Sequence, residues 1–160
     1  MGSTNEVREA TVADIAEIYG LARELAETVG DAPPAEDAVR ARLEELLEEP
    51  RARVLVAEGE NGVVGVASLW IKPDLAHGDT VVEVPMLAVA EDHRREGVGR
   101  LLMDEILSVA SQNGSALIEL VATRANVAAR EFYRSLGFVE ADVVSLEFVG
   151  SPEDPPEPED

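Results

Sequence analysis

The chain is predicted to be an α/β protein, a mixed and strongly twisted sheet carrying helices on both faces. Three observations predict this: strand-like and helix-like segments interleave in the order β-α-α-β-β-β-α-β-α-β, an Asn-Gly turn joins two apolar runs, and an apolar strand passes through a glycine-containing loop straight into an amphipathic helix. At 160 residues the chain suits one domain with a full core, expected over residues 1–150.

Val7 to Glu9 read as a short first strand. Thr11 with Asp14 three positions on forms a capping signal, and Val12, Ile15, Ile18, Tyr19, Ala22 and Leu25 supply the apolar face of a first helix. Gly30-Asp31-Ala32-Pro33-Pro34 breaks the chain. A second helix is expected over Glu36–Glu48, with Val39, Leu43, Leu46 and Leu47 inward, and Pro50 stops it.

Arg53–Glu58 and Val63–Ile71 read as strands around Gly59-Glu60-Asn61-Gly62, a hairpin signal. Lys72 to Thr80 reads as a loop. Val81–Val89 is rich in β-branched residues and too short for a typical helix, so it reads as a buried strand. Pro85 interrupts it and, lacking a donor for the ladder, implies an edge, a bulge or a splayed strand.

Val98, Leu101, Leu102, Ile106, Val109 and Ala110 recur at helical spacing. The run Arg94-Arg95-Glu96-Gly97-Val98-Gly99-Arg100 therefore sits at a strand-to-helix junction. There the first amides of the helix lack intrahelical partners and the helix dipole favours an anion. Gly97 and Gly99, without Cβ atoms, allow close approach, and the three arginines offer forked donors suited to phosphate. Ala116 to Ala122 is a further strand, Val127–Leu136 a helix ended by Gly137, and Phe138 to Val149 one or two closing strands. The tail Ser151–Asp160, with four prolines and five acids, is expected to be disordered.

Composition narrows the functional classes. Without cysteine, disulfides, thiolate metal sites and cysteine nucleophiles are excluded, and His77 and His93 lie far apart without ligand-like spacing, so no metal is expected. A formal charge of −20, from 33 acidic residues against 13 basic ones, disfavours nucleic acid as a partner and suits a cationic one. Lys72 is the only lysine. Arg94, Arg95, Arg100 and Arg124 mark an anion-binding pole on this acidic background. No apolar run reaches the roughly 18 residues needed to span a bilayer, and MGSTNEVREA has no apolar signal core, so a cytoplasmic location without membrane association is expected.

The order LAV strand, RREGVG, helix, strand, then Asn126 and AAREFYRSLGF resembles the GCN5-related N-acetyltransferase (GNAT) superfamily. The resemblance is specific from about Val81 to Phe148 and architectural before that. It implies a twisted, mostly antiparallel sheet with a splayed central strand, and acetyl-CoA as acyl donor. Arg94, Arg95, Glu96, Gly97, Val98, Gly99 and Arg100 would then hold its pyrophosphate. Leu87, Ala88 and Val89 would present backbone to the pantetheine arm, Asn126 would lie close to the cofactor, and Tyr133 near the thiol sulfur. The resemblance further implies N-acetyl transfer to a primary amine by direct attack, with Tyr133 as the proton donor and homodimers frequent.

An acceptor amine must lose a proton. Glu83 is the candidate base, on the ground that it shares strand parity with Pro85 and Leu87. Many GNAT members carry a glutamate nearer the LAV triplet, where this chain has Pro85; Glu119, His77, Asp79 or a water chain are alternatives. Trp70 and Tyr19 are candidates to line an acceptor pocket. A small cationic amine is the expected acceptor. Other readings are a protein N-terminal or lysine acetyltransferase, a non-catalytic acyl-CoA-binding sensor, and an acidic interaction domain with an incidental glycine loop.

Overall fold

A computed structural model describes residues 4–159. Met1–Ser3, the start of the expected domain, and Asp160, the end of the expected tail, lie outside the described residues. The elements are β1 (Glu6–Glu9), α1 (Ile15–Val29), α2 (Glu36–Glu48), β2 (Ala52–Gly59), β3 (Gly62–Asp74), β4 (Asp79–Val89), α3 (Val98–Gln112), β5 (Leu117–Leu120) and α4 (Val127–Ser135). One sheet runs β1-β2-β3-β4-β5. Its first three pairings are antiparallel and β4–β5 is parallel, as the α3 crossover requires.

Alternation along the strands feeds two cores. On one face Leu69, Val82 and Val84 pack with Val98, Leu102, Met103 and Ile106 of α3, and Tyr133 of α4 and Leu136 just after it lean on the same cluster. On the other, Val54, Val56, Val66 and Ala88 pack with Ile15, Ile18 and Leu21 of α1 and Leu43 of α2. Leu47, expected inward, is exposed, so α2 buries a narrower stripe than its leucines suggest.

The expected capping signal is formed: the Thr11 N–H donates to Asp14 Oδ2 at 2.8 Å. Asp14 is buried and its carboxylate also takes two hydrogen bonds from the Arg8 guanidinium, at 2.9 Å each. Arg8 holds the Asp14 carboxyl below the usual carboxylate range, chiefly through those bonds. This joins β1 to the start of α1.

Three sequence expectations are corrected. Lys72 to Thr80 is mostly strand: β3 runs on to Asp74 and β4 starts at Asp79, with Pro73 paired to Thr80 and Asp74 to Asp79. The strand at Ala116 to Ala122 shrinks to Leu117–Leu120, the stretch that pairs with Val81–Val84. Phe138 to Val149 forms no strand; Val139, Val143, Val144, Leu146 and Val149 are exposed. Strand propensity needs a neighbouring edge to become a ladder, and this segment lies along none. After it the chain is exposed, with one turn in which the Asp154 N–H donates to the Ser151 carbonyl at 3.0 Å. Among the described residues, no helix is long and apolar enough to cross a membrane.

Candidate active site

The site begins with a bulge. Ser68 pairs with Met86 and Trp70 with Glu83, so Val84 and Pro85 on β4 oppose Leu69 alone on β3. Proline fits there because a bulge leaves a position without a ladder hydrogen bond. Val82 and Val84 face α3 before the bulge, and Leu87 and Val89 face it afterwards. Glu83 therefore shares a face with Met86 and Ala88, against the parity expected from simple alternation, because the extra residue inverts the count.

The same point splits the sheet. Val84–Leu120 is the last β4–β5 pair, while β4 continues to Val89. Beyond that pair, the edge of β4 that faced β5 has no strand beside it. Leu87 and Val89 are half-buried and Ala88 is buried in the α1 core, so these three offer a ligand mainly backbone. The Val89 carbonyl accepts from Arg94 Nε at 3.2 Å. That bond folds Arg94 back over the end of β4.

The loop after β4 is built on two left-handed residues, Arg95 at φ 66° and Gly97 at φ 84°. A turn of this kind aims successive amides into one concavity. Gly97 is the N-cap of α3, and the first helical bond runs from the Leu101 N–H to the Gly97 carbonyl at 3.1 Å. The amides of Val98, Gly99 and Arg100 precede it, at the positive end of the helix dipole. Arg95, Glu96 and Arg100 are exposed. Glu96 pairs with His93 Nδ1 at 3.0 Å. The Val98 side chain is buried against Gly65, where a Cβ would come within 2.8 Å of Val98 Cγ1.

The two loop glycines serve different ends. A Cβ on Gly97 would meet nothing within 4 Å, so its need is conformational. A Cβ on Gly99 would lie 3.0 Å from Phe132 Cζ. Gly99 is thus small because α4 crosses α3 there. Asn126 caps α4 by accepting from the Ala129 N–H at 3.2 Å.

Tyr133, next to Phe132 on α4, packs against the α3-side core. Its ring meets Phe132 and Phe138 edge-on, with centroids 5.2 and 5.7 Å apart. The residue is half-buried on the α3-side core. Burial raises its phenol pKa above the ordinary value.

On the opposite face, Glu83 stands directly beside Glu119 in the parallel register. Lys72, two pairs further along β3 and opposite Val81, forms an ion pair with Glu83. Glu83 is the largest cause of a raised Lys72 pKa. His77 of the β3–β4 turn pairs with Asp74, and both shift towards their charged forms. Trp70, opposite Glu83, is half-buried. Tyr19 lies on α1 under the Arg23 guanidinium, 5.8 Å from its ring centroid, in the α1 layer. A cleft of about 220 Å³ lined by Arg51, Arg53, Thr80 and Asn113 opens at the start of β4, at the end remote from the glycine loop.

The model of the acetyltransferase (GNAT) family matches residues 14–138. The chain belongs to this family. An aminoglycoside N-acetyltransferase, AAC(6')-Iy, crystallised in complex with CoA, has the same fold at a TM-score of 0.80 and 21% identity, over 92% of this chain and 95% of that one. The amino-acid acetyltransferase of Aliivibrio fischeri strain MJ11 is 28% identical over 146 residues, which are 91% of this chain and 29% of that protein. The chain thus spans under a third of that relative's length. The [Ribosomal protein bS18]-alanine N-acetyltransferase of Escherichia coli K12 is 37% identical over 57 residues, 36% of this chain and 38% of that protein.

Within this GNAT chain, Arg94, Arg95, Gly97, Gly99 and Arg100 lie together on the loop and first turn of α3 that follow Leu87–Val89, Asn126 caps α4, and Tyr133 packs on the α3-side core. Glu83 stands apart from them, on the opposite face next to the split. Sequence reasoning gave no catalytic or binding role to Lys72, and Phe132 reads in it only as part of the apolar stripe of the last helix. Lys72 carried a signal in being the only lysine. Its partner was hidden, because a loop from Lys72 to Thr80 leaves no register with Val81–Glu83.

Proposed function

We propose that the chain transfers an acetyl group from acetyl-CoA to a primary amine by direct attack, and that the acceptor is a small cationic amine. The observation that carries this reading is the junction itself: an α3 N-terminus capped by left-handed Gly97, beside a β4 edge that has lost β5 at a bulge. The first element suits a pyrophosphate and the second suits the amide-rich pantetheine arm.

Amides of Val98, Gly99 and Arg100 and the forks of Arg95 and Arg100 bind the pyrophosphate; Arg94 sets the loop against Val89 and contributes its remaining donors. Backbone of Leu87, Ala88 and Val89 aligns the arm so that the thioester reaches the split after Val84. An amide there polarises the thioester carbonyl as charge develops on its oxygen. Asn126 fixes the start of α4 and hence the position of Tyr133.

The amine nitrogen attacks the carbonyl carbon, the C–S bond breaks, and the thiolate leaves. Tyr133 holds its proton at neutral pH because burial favours the neutral phenol. Burial lifts the phenol above its ordinary range and so further above a free thiol, which makes full proton transfer to the thiolate uphill. Tyr133 therefore acts chiefly as a hydrogen-bond donor to the departing sulfur, and solvent completes protonation. Glu83, at the split and on the other face, takes the proton from the incoming ammonium. The adjacent Glu119 adds negative charge, which suits a cationic acceptor.

Calorimetric titration with acetyl-CoA, followed by thiol release against a panel of small amines and basic peptides, tests the reading. Binding with turnover on small amines is expected. Absence of acetyl-CoA binding overturns it.

A further inference from the structure

The only lysine of the chain, Lys72, is also the ammonium that sits on Glu83. We propose that Lys72 is a self-acetylation site: with acetyl-CoA bound in the split, the chain acetylates its own Lys72 Nζ. The inference rests on the acetyl-transfer reading above.

Four observations carry it. Lys72 Nζ and the Glu83 carboxylate are in direct contact, so the amine already touches the group that would deprotonate it. Glu83 pairs with Glu119 one step before Val84–Leu120, the last pair before the sheet opens. The Lys72 and Glu83 side chains are 49% and 42% exposed, so solvent reaches the pair and the ammonium is not sealed in the core. The residue belongs to a hairpin whose turn, Leu75 to Gly78, is exposed, and whose strand ends at Asp74. A long flexible stem with a charged head in this setting samples rotamers about its own bonds, with Glu83 between it and the split.

The step balances. Glu83 takes one proton from the Lys72 ammonium, the freed amine attacks the thioester carbonyl, and the C–S bond breaks as the C–N bond forms. The second amine proton passes to solvent or to the thiolate. The products are acetyl-lysine, CoA thiol and one net proton released to solvent. Acetylation also removes the only ammonium from Glu83, leaving the Glu83–Glu119 carboxylates open to an external cation. Lys72 in this view is an internal occupant of the acceptor position.

Because the chain contains one lysine, the test is direct. The intact protein is incubated with acetyl-CoA alone, its mass is followed, and the modified peptide is mapped. The expected result is a gain of one acetyl group at Lys72, with a rate constant unchanged on tenfold dilution of the protein. Lys72→Arg abolishes the gain, and Glu83→Gln slows it at least tenfold. The same chain unfolded in urea provides the background rate of uncatalysed acetylation. Equal rates in folded and unfolded chain overturn the proposal, as does a rate that falls in proportion to protein concentration. Acetyl-CoA binding by calorimetry is measured on the same sample. A chain that binds acetyl-CoA and acetylates external amines but leaves Lys72 unmodified overturns this inference alone; a chain that does not bind acetyl-CoA removes the reading beneath it.

Discussion

Gly99 and Phe132 meet so closely that a single methyl group on Gly99 would lie 3.0 Å from Phe132 Cζ. Through this contact α4 packs on the first turn of α3, and Tyr133, the next residue along, leans on the core cluster that contains Val98 and Leu102 of α3. The position of Tyr133 relative to the glycine loop is therefore a packing outcome.

Gly99→Ala tests that coupling. Alanine gains about 1 kcal/mol of helix propensity over glycine, whereas overpacking typically costs about 1–3 kcal/mol. Because the obstacle is the end of an aromatic ring held by α3 and α4 together, overpacking is expected to win, with a net loss of about 1 kcal/mol by denaturant unfolding. Phe132→Leu in the same chain removes the obstacle. The double variant should be more stable than the sum of the two single changes predicts, and an additive result would show that the two side chains do not press on each other.

Gly97 responds to different changes. Nothing lies within 4 Å of a Cβ there, yet its φ is 84°. Gly97→Ala is expected to cost about 1–2 kcal/mol through the left-handed backbone alone. Gly97→Asn should cost less, because asparagine tolerates that region. Gly97→Glu adds a carboxylate where a pyrophosphate is proposed to bind, and calorimetry should find no acetyl-CoA binding. Unchanged affinity in that variant would remove the loop from the binding site.

Tyr133→Phe leaves the edge-on contacts with Phe132 and Phe138 intact and deletes only the hydroxyl. The Kd for acetyl-CoA should stay within about twofold, while kcat falls by about 10- to 100-fold, at the lower end of acid–base contributions because the group donates a hydrogen bond more than a proton. Equal kcat in the variant and the parent would assign Tyr133 to core packing alone.

Much of this was legible from residue order. The Asn61-Gly62 hairpin, α2 from Glu36 to Glu48 and the start of α3 at Val98 all lie where local turn chemistry and helical periodicity put them. What was not legible depends on partners distant in sequence. The bulge at Val84–Pro85 was signalled by the proline, but the inversion of parity it imposes on Glu83 follows only from the register with Leu69. Gly99 reads as a phosphate-loop glycine until Phe132, 33 positions later, is seen to press on it. Phe138 to Val149 has strand composition, yet pairing is a property of two segments, and this one forms no ladder with the outer edge of β5.

The Arg8–Asp14 pair should dominate the acid sensitivity of the fold. Asp14 is buried, its pKa is lowered by Arg8, and Arg8 stays charged because Asp14 and Glu58 raise its own pKa further. A depressed carboxyl contributes stability that is present above its unfolded pKa, about 3.9, and lost as pH falls through the folded value. Unfolding free energy should therefore fall from just above that unfolded pKa downwards, with the contribution fully present at neutral pH. Asp14→Asn removes the charge while keeping the size; it leaves the Arg8 guanidinium with Glu58 as its ionic partner, 2.8 Å from Nε, and the Glu9 carbonyl at 3.1 Å. Breaking a buried pair costs about 3–5 kcal/mol, but the Arg8 side chain is 36% exposed and rehydrates in part, so a loss of about 2 kcal/mol at pH 7 is expected. The variant should also lose the steepest part of the acid limb of the stability–pH curve. If that limb is unchanged in Asp14→Asn, acid unfolding is governed by other carboxylates, and the tie between β1 and α1 is weaker than its three hydrogen bonds imply.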